Sequence, residues 1–321
     1  MNRILPMLLC LSLIGCSSNS APEWYYQSGT FAQDKIIGVG QGLSLTQARK
    51  KALNSINEIL WTEVDSSFSI RESERRINDK ANTQSHLDSR INTKTTKISF
   101  SGITYVKSEK HGKSYFVQAS IGKKELINQL ELDISEYEKE AENQIKNLSH
   151  QDKLLWWLGN NDAQERLHNA SIRLAMLKSL DPNNSMNITS AHLLLEMVSQ
   201  TKSQIVIQVI PSYKDKRSAS FVAEQISRTG LSTSTTRTNL VTHILGMKSE
   251  YRNKKVGDAY IATKLTNVEL TNLSGTVIAN NEVISSSNSI TNFEFANEGA
   301  ERHFSKQIEQ QGIWKAIGIK L

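Results

Sequence analysis

The sequence predicts an α+β protein of two domains, each an antiparallel sheet packed with helices, joined by a helical segment. Three observations carry that expectation. Alternating apolar runs, the period of half-buried strands, occur in two separate parts of the chain. Apolar residues stepping by threes and fours, the period of a helix face, flank each set of strands. Between the two sets, residues 149–202 carry helical patterning throughout. With 321 residues, 38% of them hydrophobic, the chain is long enough to bury two cores.

The first segment is a leader. "MNRILPMLLCLSLIGC" has one cation, Arg3, followed by an apolar run too short to span a bilayer as a helix. It reads as a secretory signal over residues 1–15. Its end, Leu13-Ile14-Gly15-Cys16, matches a lipobox, in which a small residue precedes a cysteine that takes diacylglycerol. Cys16 is therefore the expected lipidation site, and residues 16–23 form a polar tether. Of the two cysteines, Cys10 leaves with the signal, so no intramolecular disulfide is expected. Two or three acyl chains hold a protein on a membrane far more firmly than one. Ser17 follows the cysteine, which points to the outer membrane with the protein facing the periplasm.

The first domain is expected over residues 24–148. An aromatic cluster, Trp24, Tyr25 and Tyr26, packs onto it. The run "KIIGVGQG" is a strand bearing Gly38, Gly40 and Gly42. Their G-x-G-x-G spacing is neither a dinucleotide fingerprint nor a phosphate loop, so they are read as serving backbone geometry. Ser44 and Gln47 form a capping box that opens a helix. Its apolar face is Leu45, Ala48, Ala52, Ile56, Ile59, Leu60 and Val64. A long polar run, 65–100, follows as an exposed loop, or as extended strands and a solvated helix. "SGITYVKSEKHGKSYFVQASIG" is a β-hairpin turning at Glu109-Lys110-His111-Gly112. From Lys123 to Leu148 an amphipathic helix closes the domain.

The order "APEWY", "IIGVGQG", "SLTQARKKALNSI", "SGITYVK" and "KSYFVQASI" resembles the LPP-twenty family of bacterial outer-membrane lipoproteins over about residues 21–148. That family includes flagellum-associated lipoproteins and the N-terminal domain of a flagellar ring protein. The resemblance implies envelope scaffolding and protein partners, the chain itself among the candidates, rather than catalysis. Typical members stop near the second helix, whereas this chain continues.

The continuation is a helical connector, 149–202, and a C-terminal α+β domain, 203–321. "SQIVIQVI" is a strand and "SASFVAEQISRTG" a helix closed by Gly230. Three long strands follow from Val241 to about Ser287, and "NEGAERHFSKQIEQQGIWKAIGI" is a last helix. This order resembles the periplasmic domains of envelope assembly lipoproteins and flagellar ring proteins.

Composition and motifs bound the chemistry. The formal charge of +6 is spread along the chain, so nucleic acid is not an expected partner. Ser120 and Lys123 make an S-x-x-K, but without the K-T-G and S-D-N that accompany it in penicillin-recognising enzymes. The seven histidines, 86, 111, 150, 168, 192, 243 and 303, show no metal-binding spacing. Trp156 and Trp157 sit among leucines and read as a buried contact between domains, with glycan stacking as the other reading. No catalytic residue, metal or cofactor is expected. The leading expectation is an outer-membrane lipoprotein acting as a structural or assembly factor, with a flagellar setting, and the alternative is a peptidoglycan- or glycan-binding tether.

The anchor has a direct test. Cys16→Ser is expected to abolish palmitate labelling and leave the precursor uncleaved, and normal labelling of that variant would refute the lipobox reading.

Overall fold

The structure, a computed structural model, describes residues 20–26, 31–32, 34–78 and 100–320, with side chains described for all of these except 31–32 and 62–78. The leader with Cys16, residues 79–99 of the polar run, and His86 lie outside the described residues. The α+β class is found: two sheets, each packed with helices. The chain divides into two compact units, Met1–Asp133 with Ile172–Met186, and Ile134–Ser171 with Asn187–Leu321. Among the described residues no helix is long and apolar enough to cross a membrane.

In the first unit, a short helix α1 (Glu23–Tyr26) precedes strands β1 (Phe31–Ala32) and β2 (Lys35–Gly42). Helix α2 (Leu45–Asn78) follows, then β3 (Thr104–His111), β4 (Ser114–Gly122) and α3 (Lys123–Asn147), whose residues from Ile134 on belong to the second unit. The sheet runs β1-β2-β4-β3, antiparallel throughout. The polar run thus begins as a continuation of α2. The hairpin turns at Gly112-Lys113 rather than within Glu109–Gly112, because β3 continues to His111, which pairs with Ser114. A two-residue hairpin loop needs positive φ, and Gly112 supplies it at +58°.

Helix α2 lies on β2 and β4 with its buried face formed by Ala48, Ala52, Ile56 and Leu60. Ser44 and Gln47 cap its start: Ser44 Oγ accepts from Gln47 N at 3.2 Å, while Gln47 Oε1 reaches one residue past the N-cap to accept from Leu43 N at 2.8 Å. Beneath it, pleating puts Ile36, Gly38, Gly40 and Gly42 on one face, beside Ile121, Ala119, Val117 and Tyr115 of β4. None of the three glycines has positive φ, so their role is space. A Cβ on Gly38 would stand 2.4 Å from Ala52 O, on Gly40 2.1 Å from Ala48 O, and on Gly42 2.6 Å from Ala48 N. On the opposite face, Tyr25 meets Phe116 edge to face at 5.0 Å, and Trp24 Nε1 donates to Glu109. The aromatic cluster therefore packs on the sheet, with Tyr26 left exposed.

The connector is helical as expected: α4 (Lys153–Gly159), α5 (Ala163–Leu180), which stops before Pro182, and α6 (Thr189–Gln204). After the connector, whose residues Ile172–Met186 fall in the first unit, the second unit contains β5 (Val206–Pro211), α7 (Lys216–Arg228), β6 (Ser232–Ser234), β7 (His243–Val256), β8 (Ala259–Asn272), β9 (Val277–Ser289), α8 (Phe293–Gln311) and α9 (Ile313–Ala316). The sheet order is β6-β5-β7-β8-β9. It is mixed rather than purely antiparallel, since β5 runs parallel to both β6 and β7. The β5-α7-β6 crossover requires this, because a strand returning after a helix lies parallel to the first. Helices α7 and α8 contribute Ala219, Val222 and Ile226, and Ala296, Ala300, Phe304 and Ile308, to the core.

Gly40→Ala is expected to destabilise the protein by about 2 kcal/mol or more, at the upper end of overpacking, because backbone atoms block the new methyl. Gly246→Ala, whose added Cβ would come no nearer than 3.8 Å to Glu269 O, should change stability by less than about 0.5 kcal/mol. Urea unfolding of both variants checks the contrast, and equal losses would refute the close-approach account.

Candidate functional site

The residues that the sequence marks are placed in the fold without forming one site. Ser120 is a buried β4 residue opposite Ile37, and Lys123 opens α3, its N–H donating to Asp34 O at 2.8 Å. Trp156 and Trp157 are buried, but their partners belong to the second unit. The Trp156 indole N–H donates to Gln144 O at 2.6 Å, and Trp157 meets Trp314 edge to face at 6.4 Å. Neither ring offers an open face to a sugar. Among the described residues no three His, Cys, Asp or Glu side chains converge as metal ligands.

Two buried polar clusters were not marked by any motif. In the first, Asp152 caps α4 by accepting from Leu154 N at 2.9 Å and Leu155 N at 3.4 Å. The same carboxylate accepts from His243 Nε2 at 3.0 Å, and His243 Nδ1 lies 2.8 Å from Thr242 Oγ1. Burial pushes the Asp152 carboxyl up, but the His243 hydrogen bond and charge and the two backbone donors hold it below its ordinary 3.8. Hydroxyl, imidazole and carboxylate stand in the order of a catalytic triad. Here the hydroxyl also accepts from Val206 N at 3.1 Å, and His243 is buried, so the cluster ties α4, β5 and β7 together.

The second cluster centres on Lys264, at the middle of β8 and 0% exposed. Register places it between Tyr251 of β7 and Ser285 of β9. Its ammonium donates to Ser218 Oγ at 2.6 Å and lies 3.3 Å from Asp215 Oδ1 and 3.6 Å from Glu301 Oε1. It also lies over the rings of Tyr251 and Phe304, at 5.6 and 5.2 Å. Asp215, buried before α7, accepts from Ser212 Oγ and from Ser249 N. Burial opposes its ionisation, yet the Ser212 and Ser249 hydrogen bonds and the Lys264 charge hold its carboxyl below 3.8. Tyr251 donates to Glu301 at 3.0 Å, and burial, that hydrogen bond and the nearby carboxylates push its hydroxyl well above the usual tyrosine range.

Above this cluster, α7 and α8 frame an open cleft of about 400 Å³. Arg217 and Ser218 line it from α7, and Glu301, Arg302, Lys306 and Glu309 from α8. Ser218 and Glu301 belong both to the cleft and to the Lys264 cluster, so the floor of the cleft is fixed from below. A serine beside a lysine is the geometry of a Ser-Lys nucleophile. A lysine acting as base must be free to take a proton, whereas Lys264 is the shared cation of two carboxylates.

The one sequence signal for this site is parity. Val268 and Leu270 set the inward phase of β8, and that phase carries Thr266 and Lys264 into the core while Leu265 faces outward. Nothing local announces Asp215 or Glu301 as partners.

No protein-family profile and no curated protein matches the chain. Among solved structures, the secreted protein HP1454 from Helicobacter pylori aligns over 88% of this chain and 100% of its own, with a TM-score of 0.53 and 14% identity. The fold is thus shared with that protein. A minor lipoprotein from Acinetobacter baumannii (TM-score 0.29, 8% identity) covers 36% of this chain and 96% of its own. A PelC dodecamer from Paraburkholderia phytofirmans (0.23, 14% identity) covers 37% and 90%.

Lys264→Met is expected to cost about 3 kcal/mol or more, since removing one partner leaves buried carboxylates uncompensated. Because the Asp152 and Asp215 carboxyls are depressed in the folded state, their contribution is present above pH 3.8 and is lost as pH falls through the folded values. Thermal unfolding should therefore show a falling midpoint below about pH 4, with a shallower fall in Asp152→Asn. An unchanged slope in that variant would contradict the assignment.

Proposed function

We propose that this chain is an LPP-twenty-like envelope lipoprotein, anchored in the outer membrane through acyl chains on Cys16, whose two units act as a structural or assembly factor in the periplasm. A flagellar assembly is the setting that the N-terminal resemblance suggests. Support for an exported protein comes from the lipobox at Leu13–Cys16, and the Helicobacter pylori protein that shares the fold is itself described as secreted.

The observation that carries the assembly reading is the β3 edge of the first sheet, which no strand among the described residues pairs on its outer side. Strand β3 is an edge strand whose side chains from Thr104 to Lys110 are all exposed, and Tyr105 and Val106 are 40% and 54% exposed. An edge strand presents unpaired N–H and C=O groups that can pair with a neighbouring chain. The β-bulge between Tyr105 and Lys107 interrupts that edge, which limits indiscriminate pairing while keeping an apolar spot at the surface. The glycan-binding alternative loses its tryptophans to the core and keeps only the α7–α8 cleft as support.

Val106→Asp is expected to leave the fold intact and release co-purifying envelope proteins in pull-downs from detergent-solubilised membranes. Ser120→Ala should complement a deletion strain if it folds. A Ser120→Ala protein that folds, localises and assembles yet fails to complement would mean that the function is turnover, and undiminished capture by Val106→Asp would remove β3 from the interface.

A further inference from the structure

Three cations, Arg217, Arg302 and Lys306, stand around the α7–α8 cleft. Arg217 and Arg302 share one carboxylate, Glu298, each at 3.6 Å, beyond hydrogen-bonding distance. Both arginine side chains are about two-thirds exposed, at 66% and 65%. Lys306, one turn beyond Arg302 on α8, enters no ion pair among the described residues. Against these, Glu301 is turned inward to Lys264 and Tyr251, so the carboxylates left at the rim are the shared Glu298 and Glu309.

The floor adds a directed donor. Ser218 is 2% exposed yet lines the cleft, and its oxygen already accepts from Lys264 at 2.6 Å. A serine hydroxyl that accepts one hydrogen bond can still donate one. Two forked guanidinium groups, an ammonium and a hydroxyl donor converging on one space form a donor set for an oxyanion, and the bidentate fork suits phosphate. With Glu301 committed to Lys264, three cations at the rim face the two carboxylates Glu298 and Glu309, an excess of one that suits an anion.

We propose that the cleft between α7 and α8 is a binding site for a phosphoryl group, with Arg217, Arg302 and Lys306 supplying charge and Ser218 the hydroxyl donor. The group can come from free phosphate or from a phospholipid headgroup, and the same donors would hold either. This site stands independently of the assembly reading, because it lies in the second unit and makes no use of the β3 edge.

Calorimetric titration of the acylated full chain in nonionic detergent tests it, with inorganic phosphate in one arm and short-chain dihexanoyl phosphatidic acid in the other. Dihexanoyl phosphatidylcholine serves as the zwitterionic comparison. Saturable binding is expected in at least one arm: phosphate binding assigns the free ion, and binding of phosphatidic acid alone assigns the headgroup. The double variant Arg217→Gln/Arg302→Gln should weaken it about tenfold or more, as the loss of charge-assisted hydrogen bonds implies, with an unchanged unfolding midpoint. Lys255→Gln, an exposed lysine of the β7–β8 hairpin, should bind as the parent does. Absence of saturable binding in both arms, undiminished binding by the double variant, or an equal loss in Lys255→Gln would overturn the site.

Discussion

A lysine with no exposure in the middle of a strand governs the second unit. Lys264 cannot stand among β8 core residues as an isolated charge, because desolvating an ammonium costs several kcal/mol unless partners offset it. Asp215 from the turn before α7, Glu301 from α8 and the hydroxyl of Ser218 meet that demand together. Asp215 and Ser218 come from the start of α7 and Glu301 from α8, so the pairing fixes where α7 begins and how α8 is rotated over β8 and β9. The Tyr251 and Ser249 contacts carry the same constraint across to β7. Apolar residues of the same helices supply the bulk of the burial, while the ionic cluster selects one arrangement among the many that burial would accept.

The first unit solves a different problem by removing atoms. Gly38, Gly40 and Gly42 strip one face of β2 of side chains, and Ala48 and Ala52 do the same on the facing stripe of α2. Backbone then meets backbone at distances that a single methyl would violate. Ile36 and Ile121 at one end of the row, with Ile56 and Leu60 further along the helix, supply the apolar volume that the small residues do not. The result is a sheet with α2 on one face and the aromatic cluster of α1 on the other, and among the described strands β3 is at its edge.

Functional reading follows from where each unit spends its polar groups. The Asp152–His243–Thr242 chain and most of the Lys264 cluster are used to hold elements in place. What remains available at the surface is the β3 edge of the first unit and the cationic rim of the second. The proposed pairing edge and the proposed oxyanion site lie on different units, so each is separately open to mutation.

The sequence by itself determined the elements and their local devices. Period distinguished strands from helices, the S-x-x-Q signature located the start of α2, and Pro182 and Gly230 marked helix ends. These are legible because each depends on residues within a turn or two of one another. The hairpin turn slipped by one or two positions because a polar strand end and a polar loop look alike until Ser114 is seen opposite His111. Only the tertiary structure decided the parallel pairing of β5, the space that the three glycines provide, the capture of Asp152 by His243, and the pairing of Lys264 with Asp215 and Glu301. Each of those is a choice of partner across distant segments, set by strand register and by which helix face the core accepts, and no local pattern records it.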